Sequence, residues 1–519
     1  MNLAIRSRRA APRASGAWTW PVGYAGVVGG ALMIGVFARQ RLGAPFLGVS
    51  LAVLLLLITG WLLRPRATLY ATVFLTAIAE GVTIWWFPFT KNLSSRESIA
   101  YVADAATVSP LEMALLSGAA ISMLRRYAAT GRIVPRTTVE TTMALFTAML
   151  LWGLFRGITT GGDLRIAVIE SRALFYIPLM YVIVQNECSS RRHLRTAMWF
   201  LLAGVAVQSV LTGLRFRQLD EARLLEIDTL TEHASVIAQN LLIVTFLGVI
   251  LLRPPRARVA WALLVALVPT IYVIMVAQRR SGIAALLIGL AALAVTIAWK
   301  RRGTFLLVAP VVAVLAIGYT AAFWNSTSSA GFAAQAIKGA IDPGSVSAAD
   351  RSSDLYRIME GYNINATIRA SPIRGLGFGR AFYRPIPLPD ISAFELNAYL
   401  PHNAILWLWI KLGFIGFAAM THLLAKSIVL GAQRIRREAI DLDLVTTVSA
   451  TLLIMMFVVF SWVDVSWSAR NNVFLGLAFS ICAWHTRTGP GTDGDATTET
   501  IGTTESSGPA DREMAGARS

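Results

Sequence analysis

Apolar runs long enough to cross a lipid bilayer recur along almost the whole chain. A spanning helix needs roughly 20 mostly apolar residues. Backbone polar groups find no water in hydrocarbon, so runs of this length must be helices. The sequence therefore predicts an all-α, polytopic integral membrane protein with about 14 transmembrane helices. The predicted spans are 19–38, 46–63, 67–87, 105–124, 139–155, 169–186, 196–214, 234–252, 259–277, 281–298, 304–323, 402–424, 445–462 and 469–484.

Charge is sorted by position along this pattern. The formal net charge is +18, which on a soluble protein would suggest a nucleic-acid partner. Here 55% of the residues are hydrophobic and only 15% are charged, which argues against a soluble fold. With the N-terminus in the cytoplasm, the predicted inner segments hold 26 of the 47 Lys and Arg residues. Both termini are therefore predicted to be cytoplasmic, and the positive charge is expected to face membrane lipids, with no nucleic acid bound.

One predicted outer segment is far longer than the others. Residues 325–401 form an extracytoplasmic loop within a transmembrane domain of residues 1–485, and a helix is predicted near 352–366. Residues 486–519 are rich in Thr, Gly, Ser, Asp and Glu and are predicted to be a disordered cytoplasmic tail. Loops as long as 325–401 are usually functional, so the site is expected there.

Histidines mark the outer surface at two places. Of the five histidines, only His233 and His402 fall on the predicted outer side, each where a helix begins. Imidazole titrates near neutral pH and can accept a proton from a hydroxyl group. For His233, a helix cap or a solvated side chain is an equally good interpretation. His402 closes the long loop and is the stronger candidate for a general base.

Arginines accompany these histidines on the predicted outer side. Arg279 and Arg280 form an abrupt turn between two apolar runs, against the positive-inside preference. Arg215, Arg217 and Arg223 lie in the outer loop before the next span. Guanidinium groups bind two phosphate oxygens at once, so these residues suit a lipid-linked diphosphate at the membrane surface.

Two further features are open to more than one interpretation. The glycine-rich turn that contains Gly375 and Gly377 is faintly like a phosphate-binding loop, but no strand precedes it, and a tight left-handed turn explains it better. Arg172 lies inside a predicted span near Glu170, either as a structural ion pair or as support for the site. No His and Cys cluster has zinc spacing, so no metal and no cofactor are predicted.

Three motifs, in this order, resemble the signatures of the O-antigen ligase and polymerase superfamily. The first is Arg-Ser-Gly at the start of an apolar helix. The second runs from an arginine on the loop helix to a proline followed by Gly-Leu-Gly-Phe-Gly. The third is Pro-His-Asn before a helix that continues into Gly-Phe-Ile-Gly. The first motif lies at 280–282, the second at 357–379, and the third at 401–407 with its continuation at 413–416. The similarity is clearest over 200–425.

The resemblance implies bacterial inner-membrane enzymes that move a glycan from a polyprenyl diphosphate carrier to an acceptor hydroxyl outside the cytoplasm. By position in the motifs, His402 matches the essential histidine, and Arg280 matches the arginine at the helix mouth. Arg223 matches an arginine of the preceding outer loop, with Arg215 or Arg217 as alternatives. The motifs also contain supporting positions, which are Arg357, Gly375, Gly377 and Asn403. The resemblance further implies a metal-independent reaction, and direct displacement would invert the anomeric carbon.

Two other functions fit a basic, polytopic chain. A flippase for lipid-linked oligosaccharides can also have fourteen helices, but such carriers usually have short outer loops and inverted repeats. A membrane scaffold without chemistry would leave His402, Arg279 and Arg280 unexplained. The transferase is the preferred interpretation, and the sequence does not separate ligase from polymerase or give the sugar and acceptor.

Overall fold

The computed structural model describes nine stretches of the chain, and within them the secondary structure is helical without strands. The described stretches are residues 47–79, 89–94, 107–218, 232–253, 259–326, 328–342, 344, 348–389 and 396–484. The predicted span 19–38 and the predicted tail 486–519 lie outside them. The all-α prediction is confirmed for the described part of the chain.

The α-helices are numbered in chain order. Their bounds are α1 Leu47–Leu63, α2 Pro65–Ile78, α3 Pro110–Thr130, α4 Glu140–Thr159, α5 Leu164–Glu187, α6 Arg191–Gln218, α7 Ser235–Leu252, α8 Val259–Ala277, α9 Arg280–Lys300, α10 Arg302–Ala322, α11 Phe332–Ile341, α12 Ala348–Ala370, α13 Ala404–Arg437, α14 Leu442–Val463 and α15 Ala469–Cys482.

Membrane character is clear from helix length and from the outer surface. In the described residues, nine helices are long and apolar enough to cross a membrane. Each predicted span that falls in these residues has a helix at its position, whereas the total of fourteen stays a prediction. Leu307, Val314 and Ile317 of α10 are large apolar side chains that are 73%, 69% and 70% exposed. Such an apolar outer surface suits contact with lipid rather than water.

The core of the bundle forms around α14. This helix is the most buried of the candidate spans, and it packs against α7, α9, α13 and α15. Helix α13 is broken near its first third, where Gly413 has φ 71° and ψ −174°. The break frees the amide of Phe414, which donates to the carbonyl of Pro372 in the connection between α10 and α13 at 2.9 Å.

Contacts between the connections identify two ends of the bundle. At one end, here called the loop face, Asp163 donates its amide to the carbonyl of Gly379 at 2.9 Å, and Arg280 contacts Asp354 at 3.2 Å. At the other end, Lys300 donates to the carbonyl of Glu438 at 2.6 Å. The connection from α10 to α13 lies on the loop face.

The glycine-rich turn anchors this connection to the bundle. Gly377 has φ +86°, and a Cβ atom there would lie 2.2 Å from the amide nitrogen of Gly157 on α4. The amide of Gly377 donates to the carbonyl of Lys411 at 3.0 Å, and that of Phe378 donates to Gly153 at 3.0 Å. Because these amides already donate to carbonyls of α4 and α13, they are not available to a phosphate. The turn therefore connects the backbone of the loop to these two helices and is not a phosphate-binding loop. The left-handed turn predicted from the sequence is confirmed.

Candidate active site

Helix α12 carries a buried polar stripe that organises the loop face. Tyr356, Glu360, Asn363 and Thr367 are buried, and their spacing of four, three and four residues places them on one side of the helix. Asn363 exchanges two hydrogen bonds with the backbone of Ile386, at 2.8 and 2.9 Å. The segment after the glycine turn is thereby fixed along α12.

Glu360 and His402 form the central contact of the site. His402 precedes α13, whose N-cap is Asn403, with a side chain that accepts from the amide of Leu406 at 2.9 Å. The backbone amide of His402 donates to Glu360 Oε2 at 2.9 Å, and Nδ1 lies 3.2 Å from both carboxylate oxygens. A carboxylate at Nδ1 assigns the ring proton to that nitrogen. Nε2 is then the proton acceptor of the ring.

The surroundings of this pair are unequal. The Glu360 side chain is 3% exposed, while the His402 side chain is 29% exposed. The ring of Tyr356 packs edge-on against the imidazole, with 5.4 Å between ring centroids. Burial, together with the charge of Glu360, raises the pKa of Tyr356 above its usual value. The phenol therefore stays protonated at neutral pH.

An arginine pair lies on the same side of α12. Asp354 Oδ1 is 3.2 Å from Arg280 Nη2 and 3.8 Å from Arg357 Nη1. Asp354, Arg357 and Glu360 follow one another at intervals of three residues, so they share a face of the helix. Helix α12 thus contacts both the start of α9, through Asp354 and Arg280, and His402, through Glu360.

A third arginine, Arg279, lies near both Arg357 and Asp464, the residue that follows α14. Burial lowers the pKa of its guanidinium, the carboxylate of Asp464 opposes this shift, and the charge of Arg357 adds to it. Nε of Arg279 and Nε of Arg357 are both buried and have no hydrogen-bond partner among the described residues. Asp464, at the end of α14, also contacts His233 at 3.4 Å and accepts from the Ser281 hydroxyl at 3.3 Å.

The remaining arginine predictions have different outcomes. Arg215 and Arg217 lie in the last turn of α6, and Arg217 is placed over the ring of Tyr272 on α8, 6.0 Å from its centroid. Among the described residues, neither arginine contacts Asp354 or Glu360, the carboxylates that contact Arg280, Arg357 and His402. Arg223 lies outside the described residues. The assignment of one of the three to a diphosphate therefore stays a prediction.

Of the two interpretations of Arg172, the ion pair with Glu170 is contradicted, and support for the site stays a prediction. Arg172 donates to the Asn92 side chain at 2.7 Å and to the Thr107 carbonyl at 3.0 Å. Residues two apart on a helix point to different sides, so Arg172 and Glu170 do not face each other. Glu170 instead pairs with Lys411 at 2.7 Å, and both side chains are fully buried.

Gly375 and Gly377 support the site from a distance. The carbonyl of Gly375 accepts from Arg156 Nε at 2.6 Å, and its amide donates to the carbonyl of Ser371 at the end of α12. Because the turn holds the end of α12 against α4 and α13, it fixes the helix that carries Glu360. Within the part of the chain that the structure describes, neither glycine contacts His402.

Sequence reasoning missed Glu360, Asp354 and Tyr356. All three lie on the loop helix, and the signal that identifies them is periodic. Polar residues recur at helical spacing on a segment that is far less apolar than the spans. A polar stripe of this kind predicts a buried, hydrogen-bonded face once the segment packs on a membrane domain.

The fold and this site define a polytopic helical membrane protein with a histidine, a carboxylate and several arginines on one face. A family model described as O-antigen ligase matches residues 264–421, which include α9 to α12, the glycine turn and His402. Over these residues the chain is similar to the O-antigen ligase family, and the resemblance seen in the motifs is confirmed. No curated protein matches the chain. At the level of the family, the match supports a membrane glycosyltransferase of the ligase or polymerase kind.

Proposed function

We propose that this protein transfers a glycan from a polyprenyl diphosphate carrier to an acceptor hydroxyl at the outer face of the bacterial cytoplasmic membrane. The observation that carries the proposal is that α12 carries Arg357, contacts Arg280 through Asp354 and contacts His402 through Glu360. Oriented imidazole and guanidinium donors are the groups that this reaction requires. Both termini are proposed to be cytoplasmic, so the loop face is the outer one.

The proposed base is Nε2 of His402. Glu360 holds the Nδ1 proton and orients the ring, so Nε2 can accept the proton of an acceptor hydroxyl. As the oxygen attacks the anomeric carbon, the positive charge that forms on the imidazole is stabilised by the buried carboxylate. General base catalysis of this kind typically contributes about 100- to 10,000-fold.

The proposed diphosphate site is formed by Arg279, Arg280 and Arg357. Negative charge grows on the diphosphate as the bond to the sugar breaks, and fixed guanidinium donors stabilise that charge. The Nε–H groups of Arg279 and Arg357 support this role, because both are buried, have no hydrogen-bond partner among the described residues and can donate to an anion. Direct attack opposite the leaving group would invert the anomeric carbon, and no step requires a metal.

The proposal is tested with purified protein and a lipid diphosphate-linked sugar donor. His402→Ala and Arg280→Ala are expected to abolish formation of the new glycosidic bond while the protein remains folded. The matched control is His422→Ala, since His422 is an exposed histidine of the same helix α13. Wild-type transfer by His402→Ala would refute the assignment of the base. If the wild type moves the lipid-linked sugar across liposomes without forming a bond, the protein is a transporter.

A further inference from the structure

A second histidine and carboxylate pair lies at the same end of the bundle. His233 Nδ1 is 3.4 Å from Asp464 Oδ1, and the two side chains are 42% and 3% exposed. This resembles the pair of His402 with Glu360, in which an exposed imidazole also rests on a buried carboxylate. Neither His233 nor Asp464 lies within residues 264–421, so the family match does not account for this pair.

Asp464 is built to stay ionised. Its Oδ2 accepts from the Ser281 hydroxyl at 3.3 Å, and its Oδ1 accepts from the Val465 amide at 2.8 Å. Burial acts to raise the pKa of Asp464, but the contact with His233 and the Val465 amide outweigh this and hold the pKa below its usual range. The carboxylate places a ring proton on Nδ1, so Nε2 is the ring nitrogen that faces away from Asp464, and it can donate to a ligand when the ring carries a second proton.

This pair belongs to the proposed diphosphate site through its neighbours. Asp464 lies near both Arg279 and Arg357. The charge of Arg357 helps to lower the pKa of Asp464, and the charge of Asp464 opposes the lowering of the Arg279 pKa. Ser281, which donates to Asp464, follows Arg280 at the start of α9. Two consecutive residues at the start of α9 therefore contact the two carboxylates: Arg280 contacts Asp354, and Ser281 contacts Asp464.

Charge balance shows why a protonated His233 would help to bind an anion here. Three guanidinium groups face three carboxylates here, so the group is neutral when both histidines are neutral. A diphosphate that links a sugar to a lipid carries two negative charges, so a cationic imidazole improves the match. The charged groups are Arg279, Arg280, Arg357, Asp354, Glu360 and Asp464.

We propose that His233, oriented by Asp464, binds the leaving diphosphate through Nε2–H, an inference that rests on the proposed function. The bond from the anomeric carbon to the phosphate oxygen breaks, and its electron pair goes to that oxygen. His233 Nε2–H donates a hydrogen bond to the diphosphate, while the acceptor proton goes to His402 Nε2 and then to water. The two histidines thus serve different sides of one displacement.

The experiment measures binding of farnesyl diphosphate and of farnesyl monophosphate to the full-length protein in detergent. His233→Ala is expected to weaken diphosphate binding by at least about tenfold, as for the loss of a hydrogen bond to a charged group. His233→Gln, which keeps an uncharged N–H near the Nε2 position, is expected to be intermediate. The control is His193→Ala, because His193 lies at the opposite end of the bundle beside Ser189 and Ser190.

Arg280→Ala separates this inference from the proposed function. If Arg280→Ala weakens diphosphate binding and both His233 variants bind as wild type, the role of His233 is refuted and the proposed function stands. If the wild type does not bind farnesyl diphosphate, or Arg280→Ala binds it unchanged, both proposals fall. Thermal melting identifies variants that do not fold, and His233→Gln decides the question if His233→Ala is one of them.

Discussion

Glu360 and His402 are 42 residues apart in sequence, yet one carboxylate accepts from the His402 backbone amide at 2.9 Å and contacts its Nδ1 at 3.2 Å. The double contact fixes both the position of the residue and the direction of its ring. Because Glu360 is almost fully buried, water does not compete for it. The carboxylate therefore acts on the reaction through the imidazole.

Glu360→Gln is expected to lower kcat by roughly 100-fold with little change in KM for either substrate. The amide keeps the shape of the side chain but removes the negative charge that stabilises the protonated imidazole. Steady-state kinetics with varied donor and acceptor concentrations measure both constants. An increase in KM at unchanged kcat would show that Glu360 only shapes the binding site.

Asp354→Asn is expected to tighten diphosphate binding by up to about fivefold. Asp354 contacts both Arg280 and Arg357 and its side chain is 47% exposed, so a diphosphate has to share these guanidinium groups with it. An exposed ion pair contributes at most about 1 kcal/mol, which sets the size of the effect. Titration with farnesyl diphosphate measures it, and weaker binding by the variant would mean that Asp354 positions the arginines.

Local patterns in the sequence predicted the helices well, because apolar length and positive charge are sufficient to define spans. The same patterns predicted the left-handed glycine turn, which is confirmed, and they selected His402 and Arg280, whose roles stay predictions. They did not identify Glu360 as the partner of His402 or Lys411 as the partner of Glu170. Those pairs join distant helices, and their formation depends on tertiary packing that no single segment encodes.

Gly377→Ala is expected to destabilise the protein and to reduce transfer. A non-glycine residue in left-handed backbone costs about 1–3 kcal/mol, and the new Cβ atom would also lie 2.2 Å from the Gly157 nitrogen. The matched control is Gly361→Ala on α12, where a Cβ atom meets nothing within 4 Å. Thermal melting in detergent compares the two, and a Gly377→Ala protein as stable as the control would show that the turn can move away from α4.

Lys411→Met is expected to be more damaging alone than together with Glu170→Leu. The two side chains form a fully buried ion pair at 2.7 Å, and Glu170 Oε2 also accepts from the Gly379 amide at 2.6 Å. Removing one partner leaves an uncompensated buried charge, which typically costs about 3–5 kcal/mol, whereas replacing both with apolar side chains is often close to neutral. Melting temperatures of both single variants and the double variant form the test. Additive losses would mean that each residue acts through its backbone contacts, Lys411 through the Arg380 carbonyl and Glu170 through Gly379, and not through the ion pair.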